Sequence, residues 1–510
     1  MLSSLDLLIF GLFCAAVLGV GLFQGRKEGG SGEEYFLAGH GLSWWLIGIS
    51  LIAANISSEQ FVGMNGSAAG TYGLAVASYD WLAAMGLAVV AMFILPRILR
   101  AGIYTMPEYL EHRYSPAARN LMSHYMVGIY TLVTIPAVLY TGGLAIHTMF
   151  DLNLTLAVWI VAVTAAVYTT YGGLKSVAWA DLLQGSALLA GGLIVTLAGF
   201  RAVGGWDSFV AHNSSKLHMI LPADHPELPW TALLFGLWIP NLYYWGFNQY
   251  ITQRTLAARS LRHGQLGVLM AGGIQLVLPL VIVIPGLMAQ QLYPDAVAAT
   301  PDKAYPILIR NLIGSGFRGF VFAAIAGAVI STLASMLNSA ATIFAIDVYQ
   351  RRWRPDASAR QLVRTGRAAT LVFMLVGCAI APQLGRYGGI FSFMQDLQGF
   401  ISPGILAAFV FGFVVKRAPA AAALTGMLVN VPVYGLLHLP AFSGICFLNK
   451  MAITFTFVVL AMIFVTIWRP RSGPVTMPIN ARFDKRTDPL IYVIGWLLIV
   501  AAFALYWIWW

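Results

Sequence analysis

The stretch SLIAANISSEQ, residues 50–60, sets two amides, three hydroxyls and a carboxylate into the middle of an apolar window. Further along, WIPNLYYWGFNQ, residues 238–249, does the same with a proline added. In lipid, an unwound turn frees carbonyls and amides that persist only where they line a cavity or bind something. Both windows therefore read as helices interrupted at mid-depth, the first at Asn55, Ser57 and Ser58, the second at Pro240 and Asn241. Each interruption heads a block of five apolar segments, and an odd number per block forces the two blocks into opposite orientations. Paired interruptions in inverted halves are the pattern of a secondary transporter with its site at the bilayer midplane.

Composition supports a membrane setting. The 510 residues are 59% hydrophobic and 10% charged, where soluble domains carry about 25% charge. This excludes cytosolic enzymes, nucleic-acid binders and disulfide-built secreted modules. Cys14, Cys378 and Cys446 all lie in apolar runs with no metal spacing. Windows of about 20 residues give fourteen candidate spans, starting near 5, 45, 75, 118, 154, 176, 230, 264, 314, 364, 388, 419, 446 and 489. The expected fold is an all-α membrane protein of about fourteen helices, with a core of two inverted five-helix repeats whose first helices are discontinuous.

With the first helix starting outside, the inner loops hold 23 of the 30 Lys and Arg residues, and 7 fall on the other side. So strong a positive-inside bias places both termini outside and makes the net charge of +10 a topology label. The first span lacks a basic n-region and a small-residue cleavage site, so it reads as a retained helix. The expected organisation is a peripheral first helix and inner loop (1–44), a first repeat (45–205), an outer loop (206–229), a second repeat (230–417) and three peripheral helices (418–510).

Spacing in the ninth span suggests a cation site. The Ala328 carbonyl lies where side chains three and four residues on point back, and those are Ser331 and Thr332. Such hydroxyls also commonly bond the carbonyl one turn back, which is the alternative reading. Carbonyls near Ala53 and Ile56 would raise the set to five neutral oxygens, which suit Na+ better than Ca2+. A proton would need a titratable group, and Asp181 is the candidate. For the solute, mid-membrane donors and acceptors are Asn55, Gln60, Asp80, Asn241, Tyr244, Gln275 and Gln395, with no Lys or Arg at the centre of any span. That inventory fits a neutral, hydroxyl-rich solute.

The runs EEYFLAG (33–39), AANISSEQF (53–61), YGGLK (171–175) through Asp181, NLYYWGFNQY (241–250) through Gln253 and Arg254, and LASMLNS (333–339) resemble the sodium/solute symporter family, its sodium/glucose cotransporter branch above all. The resemblance spans essentially the whole chain. It implies alternating access around a central site, with Na+ on the carbonyls of Ala53, Ile56 and Ala328 and the hydroxyls of Ser331 and Thr332. It implies sugar contacts at Asn55, Gln60, Asp80, Asn241, Gln275 and Gln395, an inner gate at Tyr244 and an outer lid of Met64, Tyr79 and Phe391. Asp181, with Ser335, matches positions tied to sodium coupling or a second ion. Ala334 stands where members with a second sodium site carry Ser or Thr, so one sodium is expected. The galactose-carrying pattern of the branch has Glu at Asp80, Lys at Gln275 and Ser at Ala83.

The implied activity is Na+-coupled symport of a neutral sugar or polyol across the plasma (inner) membrane. Uptake of another small solute, such as an amino acid, a monocarboxylate, sialic acid or a vitamin, is the rival within transport. A membrane sensor built on a transporter-like domain is the rival outside it, although no signalling module is visible in this sequence. An enzyme would need a catalytic cluster, and Glu59, Asp80 and Asp181 lie on three different spans with no His or Cys beside them. The expected partners are the solute and the bilayer, with no nucleic acid. Replacing Gln275 with Lys is expected to change which sugar competes best for uptake; an unchanged competition profile would take Gln275 out of the pocket.

Overall fold

Segments of Leu, Ala, Val and Gly with few charges can satisfy their backbone in lipid only by bonding within themselves. The computed structural model accordingly is built of long helices; it describes residues 3–25, 32–56, 59–150, 152–386, 390–473, 475–483 and 486–510. Ser57 and Ser58 of the first expected interruption lie outside those parts, as do Arg26, Lys27 and Lys485. In chain order the main helices are α1 (Ser4–Gly25), α2 (Trp44–Asn55), α3 (Ser78–Val89), α4 (Pro116–Ile129), α5 (Ile135–Phe150) and α6 (Leu154–Val203). They continue as α7 (Trp238–Phe247), α8 (Gln249–Leu256), α9 (Leu261–Leu292), α10 (Phe317–Ile343) and α11 (Ala359–Ile380). The last are α12 (Ile390–Gln398), α13 (Ser402–Val414), α14 (Ala420–Leu436), α15 (Phe447–Trp468) and α16 (Pro489–Ile508).

Nine described segments are long and apolar enough to cross a membrane, or ten when α12 and α13, bent by 46° at their junction, form one span. Three shorter apolar helices, Trp44–Asn55, Leu154–Val167 and Ala420–Leu436, add to these. Helices broken at mid-depth fall short of the length an unbroken span needs. Much of the gap to the fourteen windows read from sequence arises this way.

Both repeat-opening helices are broken, but the second not where the sequence suggested. α2 ends at Asn55, and Ile56 turns to extended backbone (φ −75°, ψ 109°). In the second repeat the break is at Asn248 (φ −77°, ψ 125°), between α7 and α8, and not at Pro240 and Asn241. Pro240 sits in the first turn of α7, just after a π turn over Ala232–Gly236. There its missing N–H costs little. Asn248 is held at the true break by its side-chain carbonyl, which accepts the Tyr130 hydroxyl.

The fifth and sixth expected spans run together as α6, bent at Gly173, whose φ is +55°. A Cβ there would stand 2.4 Å from the Tyr35 carbonyl oxygen, so both conformation and space require glycine. α6 packs on α1, α2, α9 and α10, and α9 packs on α2 and α3. The broken end of α2 is thereby enclosed by the longest helices. Two charged residues tie up helix ends. Asp6 of α1 accepts the Gly316 and Gly319 amides (2.8 and 2.9 Å) at the start of α10. Arg113 donates to the carbonyls of Gly412, Val415 and Ala418 at the end of α13 (2.8, 2.6 and 3.3 Å), where a cation complements the helix dipole. Outward faces carry large apolar side chains such as Leu460, Phe464 and Trp507, the surface a lipid solvent favours.

Gly173→Ala is expected to cost about 1–3 kcal/mol or more, from the strained backbone together with the Tyr35 contact. A lower apparent melting temperature in detergent would show it; an unchanged one would contradict the strained bend.

Candidate functional site

The cradle forms where α2 runs out of its own amides. The last carbonyls of a helix have no partner within it, and two of these face hydroxyls from α10. Ser331 Oγ lies 3.2 Å from the Ala53 carbonyl, and Thr332 Oγ1 donates to the Ala54 carbonyl at 3.0 Å. The sequence reading grouped both hydroxyls with the carbonyls of Ala53, Ile56 and Ala328 about one ion; the Ala54 carbonyl that Thr332 meets was not in that set. Consecutive residues on one helix point about 100° apart, so they reach different carbonyls. Ile56 and Ala328 are both buried.

Ser331 also lies 2.5 Å from Asp181 Oδ1. A serine hydroxyl has one hydrogen and two lone pairs. Given to the carboxylate, the hydrogen leaves the lone pairs toward the Ala53 carbonyl, where a cation would share them. The carboxylate itself is paired. Arg254 Nη2 donates to Asp181 Oδ2 at 2.9 Å, and both side chains are wholly buried. The guanidinium also donates through Nε to Ser50 Oγ (2.6 Å), through Nη1 to the Tyr250 carbonyl (2.5 Å) and through Nη2 to Ser335 Oγ. Ser50 donates to Asp181 in turn, and Ser335 to the Ser331 carbonyl at 2.8 Å.

Arg254, counted among the inner-loop residues in the sequence, lies in helix α8 and is wholly buried. A span of about 20 residues from position 230 would end before residue 254. Instead, a second helix begins after the break at Asn248 and runs through Arg254. The signal that could have found it is Asp181 itself, since an intramembrane carboxylate needs a partner. Its neighbours rivet α8 in place. Gln253 donates to the Phe36 carbonyl and Thr342 (2.8 and 2.9 Å) and accepts Ser339 (2.5 Å), while Gln249 accepts the Met106 amide (2.8 Å).

Beside this network is one cavity that gathers Asn55, Gln60, Asp80, Asn241, Gln275 and Gln395, all six expected solute contacts. Met64, Tyr79, Ala83, Tyr244 and Thr332 line it too. The Phe391 side chain and that of Glu59 lie outside the described part. Asn55 Nδ2, Gln60 Oε1, Asp80 Oδ2 and both polar atoms of Gln275 are buried without a hydrogen-bond partner among the described residues. Leaving each unsatisfied costs about 1–3 kcal/mol, so their convergence marks a place built for a polar guest. Asn241 donates to the Leu237 carbonyl at 3.1 Å, and Gln395 accepts from Gln398 at 3.4 Å. Tyr244 closes one side, its hydroxyl accepting that of Tyr250. Toward the other side, the Glu227 carboxylate accepts the hydroxyls of Tyr72 and Ser392 (the latter at 2.9 Å), joining the segment after α2 to α12. Sequence reasoning missed Glu227 because it sits in a polar loop, where acids are unremarked.

Comparison with known proteins agrees with this geometry. A family profile described as the sodium:solute symporter family matches residues 35–430. The chain is similar to a sodium/glucose cotransporter of Vibrio parahaemolyticus, 40% identical with 91% of each chain covered. It is also similar to sodium/myo-inositol cotransporter 2 of Sus scrofa, 34% identical over 86% of this chain and 70% of that one. Among solved structures, a Na+-coupled sialic acid symporter in a substrate-bound outward-open state matches with a TM-score of 0.81. It is 21% identical and covers 93% of this chain and 99% of its own, a likeness of fold.

Removing one partner of a buried ion pair typically costs about 3–5 kcal/mol. Arg254→Gln should therefore sharply lower folded yield, and the double variant with Asp181→Asn should regain most of it. A double variant no better than Arg254→Gln would contradict the pairing.

Proposed function

We propose, on the premise that the chain belongs to the sodium:solute symporter family, that it carries a neutral sugar or polyol inward by alternating access, with Na+ as the coupling ion. The observation that carries the reading is a shared helix end: Ala53 and Ala54 turn carbonyls to the α10 hydroxyls, and the next residue, Asn55, lines the solute cavity. An ion that fixes this turn fixes a solute contact with it. Sodium and solute then each bind better in the other's presence, and that coupling is reciprocal.

Na+ is assigned to the carbonyls of Ala53, Ile56 and Ala328 with the hydroxyls of Ser331 and Thr332, the Ala54 carbonyl lying alongside. Asp181 positions the site by taking the Ser331 hydrogen. The stoichiometry is one Na+. Asp181 and Ser335, the remaining oxygens of a second ion site, already face a resident cation, the Arg254 guanidinium. One Na+ moving down about 100 mV gains roughly 2.3 kcal/mol, and a tenfold gradient adds about 1.4 kcal/mol. Together they could concentrate a neutral solute roughly 500-fold at full coupling.

The solute is read as neutral because no Lys or Arg is among the described residues lining the cavity. A carboxylate guest would lack a counter-charge and would meet Asp80 instead. Amides and hydroxyls serve a sugar well, since both sides offer donors and acceptors. Tyr244 is assigned as the inner gate and Met64, Tyr79 and Phe391 as the outer lid, with the Glu227 bridge holding that lid closed. The segments 45–205 and 230–417 are the two inverted repeats that rock about the site. The chain is a multi-pass membrane protein that we place in the inner membrane with both termini outside, acting as a carrier without enzymatic chemistry.

The test is uptake into proteoliposomes under a sodium gradient, screening labelled hexoses and polyols. Ser331→Ala with Thr332→Ala should abolish sodium-dependent uptake while leaving folded protein in the membrane. Uptake at unchanged sodium affinity would overturn the ion assignment.

A further inference from the structure

Away from the central site, α6 and α11 leave between them a lipid-facing groove lined by Val163, Ala166, Val167, Leu371 and Met374, with Thr170 and Arg367 at one end. On the inside–outside reading the part of α6 before Gly173 and α11 run in opposite directions, which sets Thr170 with Arg367 and Val163 with Met374. By the positive-inside count the polar end is the inner one. The Arg367 guanidinium lies 5.7 Å from the Tyr35 ring centre, and the Tyr35 hydroxyl reaches the Thr170 carbonyl at 3.4 Å.

Three features give this end its character. Arg360, Arg364 and Arg367 recur at helical spacing along exposed positions of α11, and Leu371 and Leu375 continue the same stripe into the apolar zone. Arg360 and Arg364 form no ion pair with any described residue. Thr170 Oγ1 is buried at the groove without a hydrogen-bond partner among the described residues. The N-terminal amides of α11 are not the attraction, because Ser358 and Gln361 already cap them. A comparable groove between α13 and α15, lined by Val410, Val414, Phe455 and Val459, has Thr466 as its polar residue and no basic group. An ordinary acyl chain suits that one.

We infer that the groove between α6 and α11 holds an anionic glycerophospholipid of the inner leaflet. Its phosphate lies on Arg364 and Arg367, an ester oxygen accepts the Thr170 hydroxyl, and one acyl chain runs along Val163, Val167 and Leu371. Guanidinium groups match phosphate geometry, and basic pockets between spanning helices on the cytoplasmic side hold such headgroups. The bent helix α6 carries Asp181 beyond Gly173, so the lipid sits on the same element as the ion network.

The test uses the full chain purified in detergent and titrated with dioleoyl phosphatidylglycerol or dioleoyl phosphatidylcholine, with bound lipid counted by native mass spectrometry. At roughly fivefold per arginine, phosphatidylglycerol should bind at least about tenfold tighter. Arg364→Gln with Arg367→Gln should bring that preference below about threefold. Val167→Trp, which fills the apolar shaft and leaves the charges, should weaken phosphatidylglycerol binding on its own. Equal binding of the two lipids, or a preference that survives the double variant, overturns the assignment. Displacement of the lipid by millimolar inorganic phosphate would also overturn it, by making the site one for free phosphate.

Discussion

A carbonyl released from a helix in the middle of a bilayer has no water to turn to. The rest of the structure follows from how this one need is met at the end of α2. Ser331 and Thr332 of α10 stand against the Ala53 and Ala54 carbonyls, and α6 and α9 wall off the junction. A small cation that offers the carbonyls a better partner than two hydroxyls is therefore able to organise the whole neighbourhood. The solute cavity shares its wall with that junction through Asn55 and Thr332.

Charge inside the membrane is arranged on the same principle. Asp181 and Arg254 cancel one another, and three serines, Ser50, Ser331 and Ser335, with the Tyr250 carbonyl bond the rest of the pair. Nearer the inner surface, buried Asp347 accepts Arg119 at 2.7 Å and Thr105 at 2.9 Å, joining α4 to the π-helical segment Phe344–Trp353 that follows α10.

Much of this was legible in the residues. Polar side chains stranded in apolar windows marked the first break at Asn55 and all six cavity contacts, because in lipid such groups must face something. The second break was misplaced, since a proline in a first turn looks the same in sequence as one in a helix interior; only the preceding π turn separates them. Arg254 was assigned to a loop because span length was counted on unbroken helices. The Ala54 carbonyl opposite Thr332 was not anticipated, as angular position on a helix does not say which neighbour stands opposite. Gly173 as the bend of α6, and Asp6 as the cap of α10, depend on contacts between distant segments that no local pattern encodes.

The most direct measurement is anomalous scattering from crystals in which thallium, a heavy monovalent ion, replaces sodium. The account predicts a peak between the α2 carbonyls of Ala53 and Ile56 and the hydroxyls of Ser331 and Thr332, with none beside Ser335 and Arg254. A peak at the Asp181–Ser335 position, or none near Ala53 at a thallium concentration that still drives uptake, would contradict it.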